Sequence, residues 1–150
     1  MKLAEALMQR SEYQKKIENM QSRILANIKV QDDDKPLEDP GALTKEALDL
    51  IAHLGELINK INKKNNIALL PSGKTISEAI VERDMLMRQR NLLAAITGKA
   101  QEKDYRLTHS EVKMNVVVSL SETQRQIDEL SRKFRELDAQ IQGVNWTTDL

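Results

Sequence analysis

Four consecutive residues, Ser72-Gly73-Lys74-Thr75, have the side chains and the order found at the end of a phosphate-binding P-loop. In such a loop the backbone amides cradle a phosphate, the lysine reaches it and the hydroxyl binds a magnesium ion. The pattern also requires a glycine where this chain has Ala68, and a buried strand upstream. We therefore expect a plain turn that starts a helix, with Thr75 and Glu78 forming a capping box.

A second group with possible chemistry, Asp49, His53 and Glu56, shares one face of a predicted helix. Helical di-metal carboxylate sites use two Glu-x-x-His pairs and two further carboxylates, and this chain has no Glu-x-x-His. The other histidine, His109, belongs to a different predicted element. A solvated charge cluster is therefore the expected arrangement, and no metal site is predicted.

Nucleophile patterns are missing as well. The chain contains no Gly-x-Ser-x-Gly, and the absence of cysteine removes cysteine nucleophiles, disulfides and thiolate zinc sites together. The sequence thus predicts no catalytic residue and no cofactor, and we expect a protein that is not an enzyme.

Several polar side chains occupy or border the apolar stripes of predicted helices, where an aliphatic residue would pack more simply. Buried arginine is costly without a carboxylate or an anion, so an inward-pointing guanidinium needs a partner. The alternatives that stay open are polar contacts that fix the helix register, arginines whose charged ends reach solvent, or an anion or small-ligand pocket between helices. The candidate partners are Glu5, Glu12, Glu82 and Asp84. The candidate polar cluster comprises Arg10, Asn62, Asn65, Arg83, Asp84 and Arg90.

The last residues of the chain contain its one tryptophan. Asn145, Trp146, Thr147 and Thr148 form a candidate interaction tail after the last predicted helix. Only 3% of the residues are aromatic, so a tryptophan at this place is expected to dock. It would either pack against the helices or a neighbouring subunit, or recognise a partner.

Four amphipathic patterns must position these residues. Apolar residues recur at three- and four-residue steps over residues 2–29, 42–65, 75–101 and 120–142, which is the period of an α-helix. Gly143 stands where a C-cap glycine would end the fourth helix. The sequence predicts an all-α fold, namely an antiparallel four-helix bundle with coiled-coil-like packing. In this prediction a single helical domain spans residues 1–150, and residues 143–150 form its C-terminal tail.

The connection between the third and fourth helices, residues 102–119, is longer than a usual bundle loop. Every second residue over residues 112–118 is valine or methionine, which is the period of a strand. Since a lone strand is unstable, we expect a small strand or hairpin insert that pairs within the chain or with a second copy.

Composition limits the partners. The 23 basic and 23 acidic side chains cancel without a block of like charge, so nucleic acid is not an expected partner. No window approaches the length of a transmembrane span, and the N-terminus opens on a charged pattern instead of a signal peptide. We expect a cytoplasmic protein that forms a homo-oligomer, because a thin bundle buries little core per residue.

Five segments resemble a family of small bacterial proteins of unknown function, some members of which carry the label septicolysin. The segments are Met1-Lys2-Leu3-Ala4-Glu5-Ala6-Leu7, Gln31-Asp32, Glu38-Asp39-Pro40, Glu82-Arg83-Asp84 and the ending Asn145-Trp146-Thr147-Thr148-Asp149-Leu150. The resemblance spans essentially the whole chain, and the Asn-Trp-Thr-Thr ending is its most specific piece.

The resemblance implies a helical bacterial protein of unknown role, and the label implies a cytolytic toxin. Thiol-activated cytolysins with such names are much larger, secreted and rich in β-structure, whereas this chain has no cysteine and one tryptophan. We therefore expect a self-associating interaction or scaffold protein first. A carrier of a small ligand or anion and a septicolysin-like toxin are the alternatives.

Overall fold

The computed structural model describes residues 1–103 and 113–150, so His109 and Val112 lie outside the described residues. The all-α class predicted from the sequence is confirmed. No helix among the described residues carries an apolar run sufficient to cross a bilayer. The helices, in chain order, are α1 Leu3–Ala26, α2 Pro40–Asn65, α3 Ile76–Ala100 and α4 Leu120–Thr147.

Two boundaries of the first helix pair differ from the prediction. Helix α1 ends at Ala26 and not at residue 29, and α2 begins at Pro40 and not at residue 42. The Asp39 side chain accepts a hydrogen bond from the Gly41 amide at 2.9 Å and so caps α2. Proline suits the first turn because its missing N–H would have no partner there.

The end of α4 also differs from the prediction. The helix continues to Thr147, so the predicted end at residue 142 and the C-cap role of Gly143 are wrong. The Thr148 amide donates to the Val144 carbonyl at 2.9 Å, and the Thr147 hydroxyl donates to the Gly143 carbonyl at 3.1 Å. Gly143 is therefore an ordinary helical residue, and the predicted tail is largely the last turn of α4.

The predicted strand insert does not form over its described part. Residues 113–118 carry no strand, and no strand among the described residues lies beside them. Among the described residues, β-pairing is limited to two isolated antiparallel bridges, Lys2 with Asp149 and Leu69 with Thr75.

The chain divides into two compact units. Unit 1 comprises Met1–Ser77 with Gln142–Leu150, and unit 2 comprises Glu78–Ile141. The expectation of a single domain stays a prediction. In unit 1, α1 packs against α2 through a core of apolar side chains, which includes the cluster Met20, Leu43 and Ala47 with Ile24 and Leu50 beside it.

The connector between α1 and α2 is held at both of its ends. The Arg23 guanidinium donates to the Glu38 carboxylate, with Nε at 3.0 Å from Oε2. The Asn27 amide group donates to the Arg23 carbonyl at 2.8 Å, and its oxygen accepts from the Glu38 backbone amide at 3.1 Å. Asp33 turns the chain between these ends with φ of 67°, a conformation that aspartate tolerates better than most residues.

Replacing Asn27 by alanine should loosen this connector. Asn27→Ala removes two hydrogen bonds to backbone groups, so the free energy of unfolding should fall by about 1–2 kcal/mol. Chemical denaturation of both proteins measures the difference. Asn19→Ala, which changes an exposed asparagine inside α1, is the control and should not lower stability. Equal losses in the two variants would contradict the role given to Asn27.

Candidate functional site

Residues 72–75 form the end of a tight turn and not a phosphate cradle. The Leu70 amide donates to the Lys74 carbonyl at 2.8 Å, and the Gly73 amide donates to the Leu70 carbonyl at 2.9 Å. Gly73 has φ of 85°, a left-handed conformation that glycine adopts without strain. The Leu70 and Gly73 amides are therefore used within the turn.

The carboxylates and imidazole on α2 form no metal centre. His53 is exposed, as are Asp49 and Glu56. In the part of the chain that the structure describes, no three such side chains are arranged to hold a metal ion. All three side chains are therefore in contact with solvent, and the expected solvated charge cluster stays a prediction.

The candidate polar cluster is divided between the two units. Arg10, Asn62 and Asn65 belong to unit 1, whereas Arg83, Asp84 and Arg90 belong to unit 2. In unit 1, Asn62 is exposed and Asn65 is half-buried. The Oδ1 atom of Asn65 is buried and has no hydrogen-bond partner among the described residues.

In unit 2, both arginines bind side chains of α4. Arg83 Nη1 donates to Asp138 Oδ1 at 2.8 Å, and the Arg83 side chain is only 24% exposed. Its Nη2 atom lies 3.5 Å from Asp84 Oδ1. Arg90 Nε donates to the Ser131 hydroxyl at 2.9 Å. Such contacts are those expected of arginines that fix the helix register, and that interpretation stays a prediction.

The spacing of the two contacts shows how α3 and α4 pair. Arg83 and Arg90 are as far apart in the chain as Ser131 and Asp138, about two helical turns. The first arginine meets the later partner, so the two helices run antiparallel. Asp138 and Ser131 were not predicted as partners, because the predicted acidic partners all lie near an arginine in the chain. Their matched spacing was the signal that could have found them.

The opposite face of α3 is exposed and largely apolar. A residue of a helix faces away from the arginines when it lies about half a turn round the axis from them. Val81, Met85 and Leu92 lie there and are 61%, 44% and 64% exposed. We call the exposed residues Val81, Met85, Arg88, Leu92 and Ala95 the outer face of α3.

Two apolar grooves meet at Leu92. The larger groove, of about 500 Å³, lies between the C-terminal half of α3 and residues 114–118. The smaller groove, of about 380 Å³, lies between α3 and the first half of α4. Leu92 lines both grooves, and Val117 beside the larger one is 95% exposed. Unit 2 therefore presents the outer face of α3 and residues 114–118 as an apolar surface open to a partner.

The outer face of α4 has the opposite character. Arg132 pairs with Glu129 at 2.7 Å and with Glu136 at 2.6 Å, and Arg125 pairs with Glu122 at 2.7 Å. These guanidiniums hold the pKa of Glu122 and of Glu129 below the usual range of a glutamate. A surface covered with paired charges is well solvated. The exposed side of α4 is therefore hydrophilic, whereas the outer face of α3 is largely apolar.

The end of the chain docks through its backbone. The Leu3 amide donates to the Thr148 carbonyl at 2.9 Å, and the Leu150 amide donates to the Met1 carbonyl at 3.0 Å. Leu3 itself is fully buried. The residues after α4 thus close unit 1 beside the start of α1.

The side chains of the candidate interaction tail behave differently from one another. Trp146 is 55% exposed, so the expected docking applies to the backbone around it and not to its ring. Asn145 is 4% exposed, and its Oδ1 atom is buried without a hydrogen-bond partner among the described residues. Thr147 is exposed and Thr148 is half-buried.

Comparisons with known proteins agree with this helical architecture. The crystal structure of a functionally unknown conserved protein from Corynebacterium diphtheriae superposes with a TM-score of 0.93 at 31% sequence identity, over 100% of this chain and 98% of that chain. Residues 10–150 match the family described as "Family of unknown function (DUF6847)". No curated protein matches the chain. The resemblance to a family of unknown function is confirmed, and the septicolysin label stays a prediction.

The contact between Arg83 and Asp138 should stabilise unit 2. In a double-mutant cycle with Arg83→Ala and Asp138→Ala, we expect a coupling of about 1–2 kcal/mol in the free energy of unfolding, since the pair is partly shielded and charge-assisted. The exposed pair Arg132 and Glu136 is the matched control and should show a clearly smaller coupling. Equal couplings would contradict the structural role of Arg83.

The ion pair between Lys2 and Asp149 should make stability depend on pH. Lys2 Nζ lies 2.8 Å from Asp149 Oδ1 and lowers the pKa of that carboxyl. A lowered native pKa stabilises the fold above the ordinary pKa of aspartate, and this contribution is lost as the pH falls through the lowered value. The protein should therefore exceed Asp149→Asn in stability at neutral pH, and the difference should vanish in acid. Unfolding curves at several pH values measure it, with Asp49→Asn as control; a constant difference would refute the expectation.

Proposed function

This chain belongs to DUF6847, a family of unknown function, and we propose that it is a non-enzymatic helical interaction module that self-associates through unit 2. The observation that carries the proposal is the apolar surface formed by the outer face of α3 and residues 114–118. Large exposed apolar patches on soluble proteins mark interaction sites more often than they serve the fold.

The side chains that line this surface support association over catalysis. The larger groove is lined mainly by aliphatic side chains, with Lys99 at its edge, whereas the smaller groove is also lined by Gln89, Arg125, Gln126 and Glu129. A catalytic pocket needs convergent polar groups with perturbed pKa values, and the larger groove has Lys99 and Asn115 as its only polar side chains among the residues that line it. The core of a protein interface, by contrast, is apolar with a polar rim.

The carrier alternative loses its original motivation. It was based on Arg83, Arg90 and Asn62 as a region that binds a small ligand or anion, and both guanidiniums already bind side chains of α4. A buried anion would have to compete with the Asp138 carboxylate for Arg83. Native mass spectrometry of the purified protein tests this alternative directly, because a carrier retains a ligand of fixed mass.

The cytoplasm is the compartment that we propose for this module. The lack of cysteine fits a reducing environment, where disulfides do not contribute to stability. Vesicle leakage assays test the septicolysin label, since a cytolytic protein releases trapped dye and an interaction module does not.

Light scattering coupled to size-exclusion chromatography should give a mass above that of one chain, 17.1 kDa, and the mass should fall on dilution. Leu92→Asp should weaken association about tenfold or more, because burying a leucine contributes about 1.5–3 kcal/mol. It should leave the melting temperature of the monomer nearly unchanged, since Leu92 is exposed.

Leu37→Asp is the matched control for this experiment. Leu37 is 99% exposed in unit 1, so its replacement adds the same charge away from the proposed surface. A protein that stays at 17.1 kDa at all concentrations, or equal effects of the two variants, would overturn the proposal.

A further inference from the structure

The outer face of α3 has residues that recur along one line. Val81, Arg88 and Ala95 are separated by equal steps of about two helical turns, so they point in nearly the same direction. Met85 and Leu92 lie beside this line. A straight row of exposed positions in such a helix is the geometry that a second helix packs along.

The charges near this row change sign along the helix. Glu78 and Asp84, in the first half of α3, are exposed acids, and Arg88 and Lys99, in the second half, are exposed bases. A parallel second helix would bring like charges together, which is unfavourable. An antiparallel second copy of α3 brings the acidic half of each helix beside the basic half of the other.

The apolar features of α3 also differ between its two halves. The larger groove lies at the C-terminal half of the helix, where Leu92, Ala95 and Ile96 face residues 114–118. Val81, in the N-terminal half, is exposed and does not line that groove. In an antiparallel pair, the N-terminal half of each α3 lies over the groove of the other copy. Two identical contacts then form at once, which is how a two-fold dimer closes.

We propose that two copies of this chain pair through the outer faces of α3, antiparallel, about a two-fold axis that passes near Arg88. The inference rests on the proposed self-association and names its geometry. Each Arg88 then lies within one turn of Asp84 of the second copy, which offsets the approach of two like charges at the axis. Both grooves at Leu92 become part of one continuous interface.

Cysteine cross-linking tests the geometry without background, because the chain contains no cysteine. A disulfide forms only where two Cα atoms lie within about 7 Å. Arg88→Cys, placed at the axis, should cross-link with itself under mild oxidation. Val81→Cys and Ala95→Cys should each cross-link weakly alone, because the two like positions are roughly 21 Å apart along the pair at 1.5 Å per residue.

A mixture of Val81→Cys and Ala95→Cys, with one of them tagged, should give the cross-linked heterodimer at several times the yield of either protein alone. Leu48→Cys, exposed on α2 in unit 1, measures random collisional cross-linking. Thermal melting of the reduced proteins confirms that each variant is folded.

Strong self-cross-linking of Val81→Cys and of Ala95→Cys would indicate a parallel pair and overturn the inference. An oligomer in light scattering whose α3 variants cross-link no better than Leu48→Cys would overturn it too, while leaving self-association intact. A protein that remains monomeric overturns both the inference and the proposed function.

Discussion

The hydrogen bonds from α3 to α4, Arg83 to Asp138 and Arg90 to Ser131, set the rotation of α3 about its own axis. A half-buried guanidinium needs a fixed acceptor, and these two acceptors have the same spacing as the arginines. Slipping the pair by one turn would separate both arginines from their partners. The register of unit 2 therefore follows from two polar contacts and not from apolar packing alone.

The rotation of α3 about its axis determines which of its residues are exposed to solvent. Its apolar residues are distributed around the whole helix, in contrast to α4, where the outer face carries ion pairs such as Arg132 with Glu129. With the arginines turned inward, Val81 and Leu92 must point outward. A helix that is apolar on every side is normally buried on every side. Unit 2 buries one side of α3, and the other side is the surface on which the proposed function depends.

The sequence predicted features that depend on near neighbours in the chain. Helix α4 begins at Leu120, where the apolar pattern predicted it, and the Glu122 amide donates to the Ser119 hydroxyl at 3.3 Å. Its end was missed because Gly143 is compatible with both a C-cap and a helix interior, and the local pattern cannot choose between them. The Asp138 partner of Arg83 was missed for a different reason, since an antiparallel pairing joins residues far apart in sequence.

Among the described residues, unit 2 buries little of the apolar side chain of Leu92, which is 64% exposed. Most of its side chain is exposed, so a polar residue there would cost the fold little and would remove apolar area from water. Val117, with almost its whole surface in contact with solvent, poses the same question. The arginine contacts explain how α3 is oriented, but they do not require that its outward side be apolar. An intermolecular contact does require it, because only burial against another surface turns these side chains into a gain of free energy.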